Sequence, residues 1–139
     1  MRFTYPVQMT PDEIDGGFVV TCRDLPEVVT QGDTLEESLA EAADALDEAI
    51  HSRIKHKLDI PGPSRALTGE HLASVPVTTA MKAAIYLSTQ GQKKVDLAAT
   101  LGVDEKEVRR MLDPKHSTKI STLEHVLGRL GKRVEVLVH

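Results

Sequence analysis

The sequence has few of the residues that build disulfide frameworks, membrane spans or aromatic pockets. It holds one cysteine, Cys22, no tryptophan and 3% aromatic residues in 139 positions. A single cysteine excludes an internal disulfide, and we expect a protein of the reducing cytoplasm. No signal peptide is recognisable and no apolar run approaches the ~20 residues of a bilayer span, so no membrane is expected as a partner. So few aromatic side chains also argue against a ligand-sensing pocket.

Catalytic and metal-binding motifs are missing as well. The six histidines include no HExxH and no pairing with cysteine at metal-ligand spacing, so we expect no zinc site. Gly16 and Gly17 lie in neither a GxGxxG nor a GxxxxGK[ST] pattern and predict a hairpin turn instead of a phosphate cradle. Cys22 lies on the same inward face of its strand as Phe18 and Val20, which is typical of a small core residue. The sequence therefore predicts no enzyme, no metal and no cofactor.

Charge is unevenly divided along the chain. Residues 1–65 carry 13 acidic against 6 basic residues, a net charge of −7, and residues 66–139 carry 8 acidic against 11 basic, a net charge of +3. With 40% hydrophobic residues the chain can bury one ordinary core or two small ones. The two halves are expected to have different partners, and only the basic half is suited to approach nucleic acid.

Alternating apolar residues predict a small sheet in the first half of the chain. In segment 2–9, Pro6 cannot donate to a strand ladder, so this strand either is unpaired on one side there or lies at a sheet edge. Thr34 is a predicted N-cap with Glu37 at the capping-box position, opening a long amphipathic helix. Further strands are predicted at 17–23, 28–31 and 72–77. We expect an α+β domain of residues 1–77 with its helix on one sheet face.

The second half predicts an all-α domain of residues 78–139 that ends in a strand. A helix is expected from Thr78 to about Gln90, stopped by Gly91 in the left-handed region. Ser121 is a predicted N-cap for the last helix. The alternation of valines in 132–139 predicts a terminal strand, which needs a partner in the chain or in a second copy.

Segment 94–113 predicts two short helices joined by a tight turn, a helix-turn-helix. Gly102 stands where the turn needs a positive φ, and Asp104 is placed to cap the second helix, with Glu107 completing a capping box. The alternative is a helical hairpin used only for packing. The residues expected to face inward are Leu97, Leu101, Val103, Val108 and Met111.

The remaining polar residues of this region form the predicted DNA-binding surface. Arg and Lys bind guanine edges or phosphates, and Ser fixes register on the phosphates. Carboxylates on the second helix weaken the electrostatic attraction to DNA unless they face away from phosphates or contact cytosine. The predicted DNA-binding residues are Lys93, Lys94, Glu105, Lys106, Arg109, Arg110, Lys115, His116, Ser117 and Lys119.

Several segments together resemble the HicB-type antitoxins that carry a C-terminal helix-turn-helix domain. They are YPV at the front, DGGFVVTCRDLPEVVTQGDTLEESLAEAADAL (15–46), the IPGPS turn, KKVDLAATLGV and LGRLGKRVEV. The resemblance covers nearly the whole chain, although Glu27-Val28 replaces the Gly-Cys of many relatives. It implies a partial ribonuclease-H-like sheet-plus-helix domain without catalysis, followed by an Xre/Cro-like helix-turn-helix domain.

The resemblance also implies two partners. One is HicA, a small basic toxin that cleaves messenger RNA and whose active-site histidine the antitoxin masks. The other is a palindromic operator, bound by a homodimer or homotetramer that represses its own operon. From charge and loop position we select Asp12, Asp15, Asp24 and Glu27 as toxin-binding residues.

Two other functions are the alternatives to this one. A stand-alone transcription regulator would need a ligand-sensing front domain, for which aromatic residues are scarce. A nuclease of the ribonuclease-H type would need paired carboxylates on adjacent strands, but segment 2–9 contains no Asp or Glu.

Overall fold

Four strands and five helices form in the computed structural model, which describes all residues 1–139. The chain forms two units, Met1–Pro76 and Val77–His139. None of the helices combines the length and the apolar character that crossing a membrane requires. The elements are β1 (Thr4–Pro11), β2 (Phe18–Thr21), β3 (Val29–Gly32), α1 (Leu35–Lys55), β4 (His71–Ser74), α2 (Val77–Ser88), α3 (Lys94–Leu101), α4 (Glu105–Leu112) and α5 (Ile120–Arg129).

The first unit is an antiparallel sheet with α1 packed on it, which confirms the predicted α+β class. The strand order is β3-β2-β1-β4, and β4 returns to pair with β1, placing Tyr5 opposite Ala73. Alternate residues of β1 and β2 turn inward and meet the apolar stripe of α1. The side chains at the centre of this core, all fully buried, are Tyr5, Val7, Val20, Ala42, Leu46 and Ile50.

Pro6 distinguishes the two arrangements that were predicted for the first strand. Residues Thr4–Val7 pair with β4, whereas the pairing with β2 begins only at Gln8. The edge alternative was therefore wrong, because β1 is a central strand. The other alternative is confirmed: the strand is unpaired toward β2 at Pro6, where a missing N–H breaks no ladder.

Two glycines allow close approaches, one between the β1–β2 turn and the end of β3 and the other between β3 and the start of α1. Gly17 follows Gly16 in the β1–β2 turn, where both have positive φ, at 72° and 77°. A Cβ on Gly17 would collide with the carbonyl oxygen of Gly32, and a Cβ on Gly32 would lie 2.6 Å from the backbone nitrogen of Ser38. Both positions therefore exclude a side chain for steric reasons.

Two of the three predicted helix caps are confirmed. Thr34 Oγ1 accepts the backbone N–H three residues later at 3.1 Å, and Asp104 Oδ1 does the same at 2.7 Å. The Ser121 cap was wrong, because α5 begins at Ile120 and its N-cap residue is Lys119. Ser121 is already inside the first helical turn, where its backbone is helical and cannot serve as the flanking residue.

The second unit encloses its own apolar core. The inward positions of the helix-turn-helix are confirmed: Leu97, Leu101, Val108 and Met111 are at most 4% exposed, and Val103 packs against them half-buried. They join α2 and α5 in one cluster, to which the other helices contribute Met81, Ile85, Leu123, Val126 and Leu127.

The predicted terminal strand was wrong for the isolated chain. Residues 132–139 form no regular structure, and all four strands of the chain lie in Met1–Pro76. The valine alternation is present, but a strand forms only when another strand satisfies its backbone groups. Val134 packs against the helical core, whereas Val136, Leu137 and Val138 are exposed.

Candidate nucleic-acid and partner interfaces

The turn between α3 and α4 fixes the angle at which α4 leaves α3. Gly102 adopts φ 69° and ψ 29°, the left-handed conformation predicted for this position. The next backbone N–H, that of Val103, bonds to the carbonyl of Ala98 at 3.1 Å, so the end of α3 is closed by backbone alone. Asp104 then caps α4 directly after the turn.

The exposed side of α4 is polar and mixed in charge. Arg109 and Arg110 are 62% and 45% exposed at their side chains, and each lies 3.6 Å from a carboxylate one turn earlier, Glu105 and Glu107. Such exposed pairs are worth little, so both guanidinium groups remain available to a ligand. Lys106 is exposed on the same short helix. The structure thus brings four of the ten predicted DNA-binding residues together here.

The loop 113–119 follows α4 and carries four more of them. Lys115, Ser117 and Lys119 are exposed. His116 is half-buried, and its Nδ1 lies 3.0 Å from Thr118 Oγ1. The imidazole is therefore part of the internal structure of the loop, and its contact with DNA stays a prediction.

Lys82 of α2 is a residue that the sequence analysis missed. The residue is 3% exposed, and its Nζ donates to the backbone carbonyl oxygens of Asp113 and His116, at 2.7 and 2.6 Å. Burial lowers the pKa of Lys82, and the nearby Asp113 carboxylate opposes that shift. The available signal was a lone charge in the otherwise apolar run AMKAAIYL of α2.

Lys93 and Lys94 are separate from this group. They are the N-cap and the first residue of α3, both exposed, at the end of the helix opposite Gly102. An eight-residue helix is about 12 Å long, so these lysines lie about that distance along α3 from the turn that leads into α4.

The four predicted toxin-binding residues do not form one patch. Asp12 and Asp15 lie in the β1–β2 turn, where Asp12 Oδ1 accepts the N–H groups of Ile14 and Asp15 at 3.0 and 3.1 Å. The Asp12 side chain thus forms an Asx-turn that holds this connection. Asp24 and Glu27 lie beyond the other end of β2, in the connection to β3.

Asp24 and Glu27 already have partners within the chain. Asp24 accepts a hydrogen bond from the N–H of Ser64 at 2.9 Å and another, very short one from the Ser64 hydroxyl. Glu27 pairs with Arg53 through two bonds, at 2.6 and 2.9 Å, and this guanidinium lowers the pKa of the Glu27 carboxyl.

These contacts belong to a larger set that holds the connection between α1 and β4, residues 56–70, which we call the strap. The Tyr5 hydroxyl donates to the carbonyl of Pro61 at 2.7 Å, and Arg53 donates to that of Asp59 at 2.8 Å. Arg23 donates to the carbonyl of Arg65 at 2.6 Å and pairs with Glu70 at 3.0 Å. The strap is therefore ordered by side chains of the sheet and helix.

Cys22 is buried at 2% exposure, and burial raises the pKa of its thiol. This confirms the interpretation of Cys22 as a core residue, because a buried neutral thiol is a poor nucleophile. No group of three or more His, Cys, Asp and Glu side chains is arranged to hold a metal ion.

The chain is similar to known bacterial proteins over nearly its full length. The family model described as the HicB-like antitoxin of bacterial toxin-antitoxin systems matches residues 4–84. Antitoxin HicB 2 of Photorhabdus laumondii is 39% identical over 136 residues, covering 96% of this chain and 94% of the relative. Antitoxin HicB of Escherichia coli K12 is 32% identical over 137 residues, covering 96% and 98%.

A solved toxin-antitoxin complex from Streptococcus pneumoniae is also similar, at 18% identity and a TM-score of 0.47, covering 78% of this chain and 95% of that one. The relatives are antitoxins, a class of proteins that are not enzymes. The match to the family model and the nearly full-length identity to both relatives agree. This chain belongs to the HicB-like antitoxin family.

Proposed function

We propose that this chain neutralises a HicA-type, RNA-cleaving toxin and represses its own operon by binding operator DNA as a homodimer or homotetramer. Met1–Pro76 serves as the toxin-binding domain with a partial ribonuclease-H-like arrangement, and Val77–His139 serves as an Xre/Cro-like DNA-binding domain. Family membership supports the first activity. The geometry of α3, Gly102 and α4 supports the second.

Charge supports the division of labour between the units. Met1–Pro76 holds 14 acidic and 6 basic residues, a net charge of −8, and Val77–His139 holds 7 acidic and 11 basic, a net charge of +4. A toxin that cleaves RNA needs a basic surface, which complements the first unit and steers their association. The second unit has the sign that neutralises phosphate.

Copurification with the protein encoded next to this gene tests toxin binding. We expect a stable complex with a small basic neighbour. The matching functional assay is growth of cells that express the neighbour with and without this chain. Failure to form a complex, together with undiminished toxicity, would remove the antitoxin activity from this proposal.

The observation that carries DNA binding is the exposed polar side of α4, with Lys106, Arg109 and Arg110, held behind a left-handed glycine turn. A helix presented in this way enters the major groove, and a two-fold dimer contacts half-sites about 34 Å apart. The exposed valines of residues 132–139 offer one way to join two copies, through pairing of their terminal segments.

Arg109→Ala tests this assignment in a gel-shift assay with a duplex from the promoter of the chain's own gene. Loss of a bidentate base contact costs about 1–3 kcal/mol, so we expect affinity to fall between roughly fivefold and 150-fold. The matched control is Lys55→Ala, which removes an exposed positive charge from the last turn of α1. Equal affinities of Arg109→Ala and wild type at the same salt concentration would contradict the assignment.

A further inference from the structure

The loop 113–119 must hold its exposed side chains in accurate positions if it binds DNA. It carries Lys115, Ser117 and Lys119, all exposed, yet it contains neither helix nor strand. Ligand-binding side chains on loops are positioned less accurately than those on helices unless other groups hold the loop in place. A DNA-binding loop of this kind therefore needs an internal support.

Lys82 supplies that support from α2. Its ammonium group reaches two carbonyl oxygens on opposite sides of the turn, those of Asp113 at 2.7 Å and His116 at 2.6 Å. The Asp113 carbonyl is at the C-cap of α4, where the carbonyl oxygens of the helix end carry partial negative charge that favours a cation. Lys82 thus joins the end of α4 to the far side of the loop.

Other bonds tighten the same turn. The backbone N–H of His116 bonds to the Asp113 carbonyl at 3.1 Å, and that of Lys115 to the Asp113 carboxylate at 2.9 Å. Thr118 is buried beside the His116 ring. A buried ammonium is costly unless its donors are accepted, so moving the loop away would leave the Lys82 charge uncompensated.

We propose that Lys82 is a positioning residue for DNA binding: it fixes loop 113–119 so that Lys115, Ser117 and Lys119 meet the phosphate backbone together. Lys82 itself is buried and touches no DNA. This inference rests on the proposed DNA binding, but the state of the loop is measured without DNA.

Lys82→Met tests the proposal, because methionine keeps an unbranched apolar stem and removes the donors. Hydrogen exchange of the full chain should become faster in residues 113–119 while the helical core of the unit keeps its protection. Affinity for the promoter duplex should fall roughly tenfold, since binding must then order side chains that the wild type already holds. Lys55→Met, at an exposed lysine in the last turn of α1, controls for the loss of one positive charge.

Salt dependence separates positioning from direct contact. Each phosphate contact contributes about 0.9 to the slope of log affinity against log salt concentration. Lys115→Ala should flatten this slope by about that amount, whereas Lys82→Met should lower affinity with the slope unchanged. If Lys82→Met fails to fold, Lys82→Arg takes its place: the larger planar head should loosen the loop and weaken binding while keeping the charge.

Wild-type exchange in the loop, or wild-type affinity, in a folded Lys82→Met variant would overturn the positioning role. A flattened slope without faster exchange in the loop would overturn it too, because it would make Lys82 a phosphate ligand. Faster exchange across the whole unit, with no selective change in the loop, would reduce Lys82 to a stability residue. If the wild type bound no duplex, the proposed DNA binding would fail, and loop exchange would still decide whether Lys82 holds the loop.

Discussion

Gly32→Ala should destabilise the first unit strongly for a change of one methyl group. The new Cβ would lie 2.6 Å from both the backbone nitrogen and the Oγ of Ser38 and 2.7 Å from its Cα. Real Cβ contacts stay beyond 3.0 Å, so β3 and the start of α1 must separate by at least 0.4 Å. Thr34 holds that helix end by its cap, and the Ser38 N–H bonds to the Thr34 carbonyl at 2.9 Å.

Overpacking of this kind costs about 1–3 kcal/mol. For a domain of this size, about 2 kcal/mol lowers the unfolding midpoint by roughly 8–16 °C. Scanning calorimetry measures the midpoint, and hydrogen exchange assigns the shifted transition to Met1–Pro76. Adding Ser38→Ala should not restore stability, because it removes only the hydroxyl and leaves the backbone nitrogen and Cα in the way.

Gly62→Ala is the matched control, since a Cβ there meets nothing within 4 Å and the residue does not have a positive φ. That variant should be neutral or slightly stabilised through reduced freedom of the unfolded chain. If the Gly32→Ala and Gly62→Ala variants had the same unfolding midpoint, the steric argument would be refuted.

Two further changes test the electrostatics. Glu105→Gln should tighten duplex binding by up to about fivefold, because two unit charges about 4 Å apart in water interact by ~1 kcal/mol and the carboxylate repels a phosphate. A fluorescence titration measures the affinity. Weaker binding would instead indicate that Glu105 accepts a hydrogen bond from a cytosine amine. Hydrogen bonds from Arg23 are the main cause that lowers the pKa of Glu70 from 4.5. Its contribution to the stability of the folded chain is therefore complete above pH 4.5 and is lost as the pH falls through the lowered pKa. Glu70→Gln should therefore reduce the loss of stability in urea between neutral pH and about pH 3; an unchanged acid response would assign that loss to other carboxylates.

Features that depend on a few neighbouring residues could be predicted from the sequence. The Thr34 and Asp104 caps and the left-handed turn at Gly102 are decided within four positions of the chain. The strands of the first half and the inward faces of α3 and α4 were predicted from period-two and helical alternation, which reports burial directly.

Features that depend on distant partners could not be predicted in this way. Lys82 and loop 113–119 are about thirty positions apart, and nothing local in α2 reveals which carbonyls its ammonium meets. Asp24 was selected as an exposed charge, but its partner Ser64 is forty residues away. The predicted strand at residues 132–139 was wrong for the same reason. Alternation of apolar residues shows which side chains a strand would bury, but not whether another strand is present to pair with it.

The internal pairing of the strap constrains how a toxin can use this domain. Any partner that took hold of Asp24 or Glu27 would have to compete with Ser64 or Arg53, exchanging a bond already present for a new one. Such an exchange yields little net affinity and releases part of residues 56–70 from the body of the domain. Toxin binding at Asp24 or Glu27 would then be linked to local unfolding of the strap. Hydrogen exchange of the strap would be faster in the complex than in the free antitoxin.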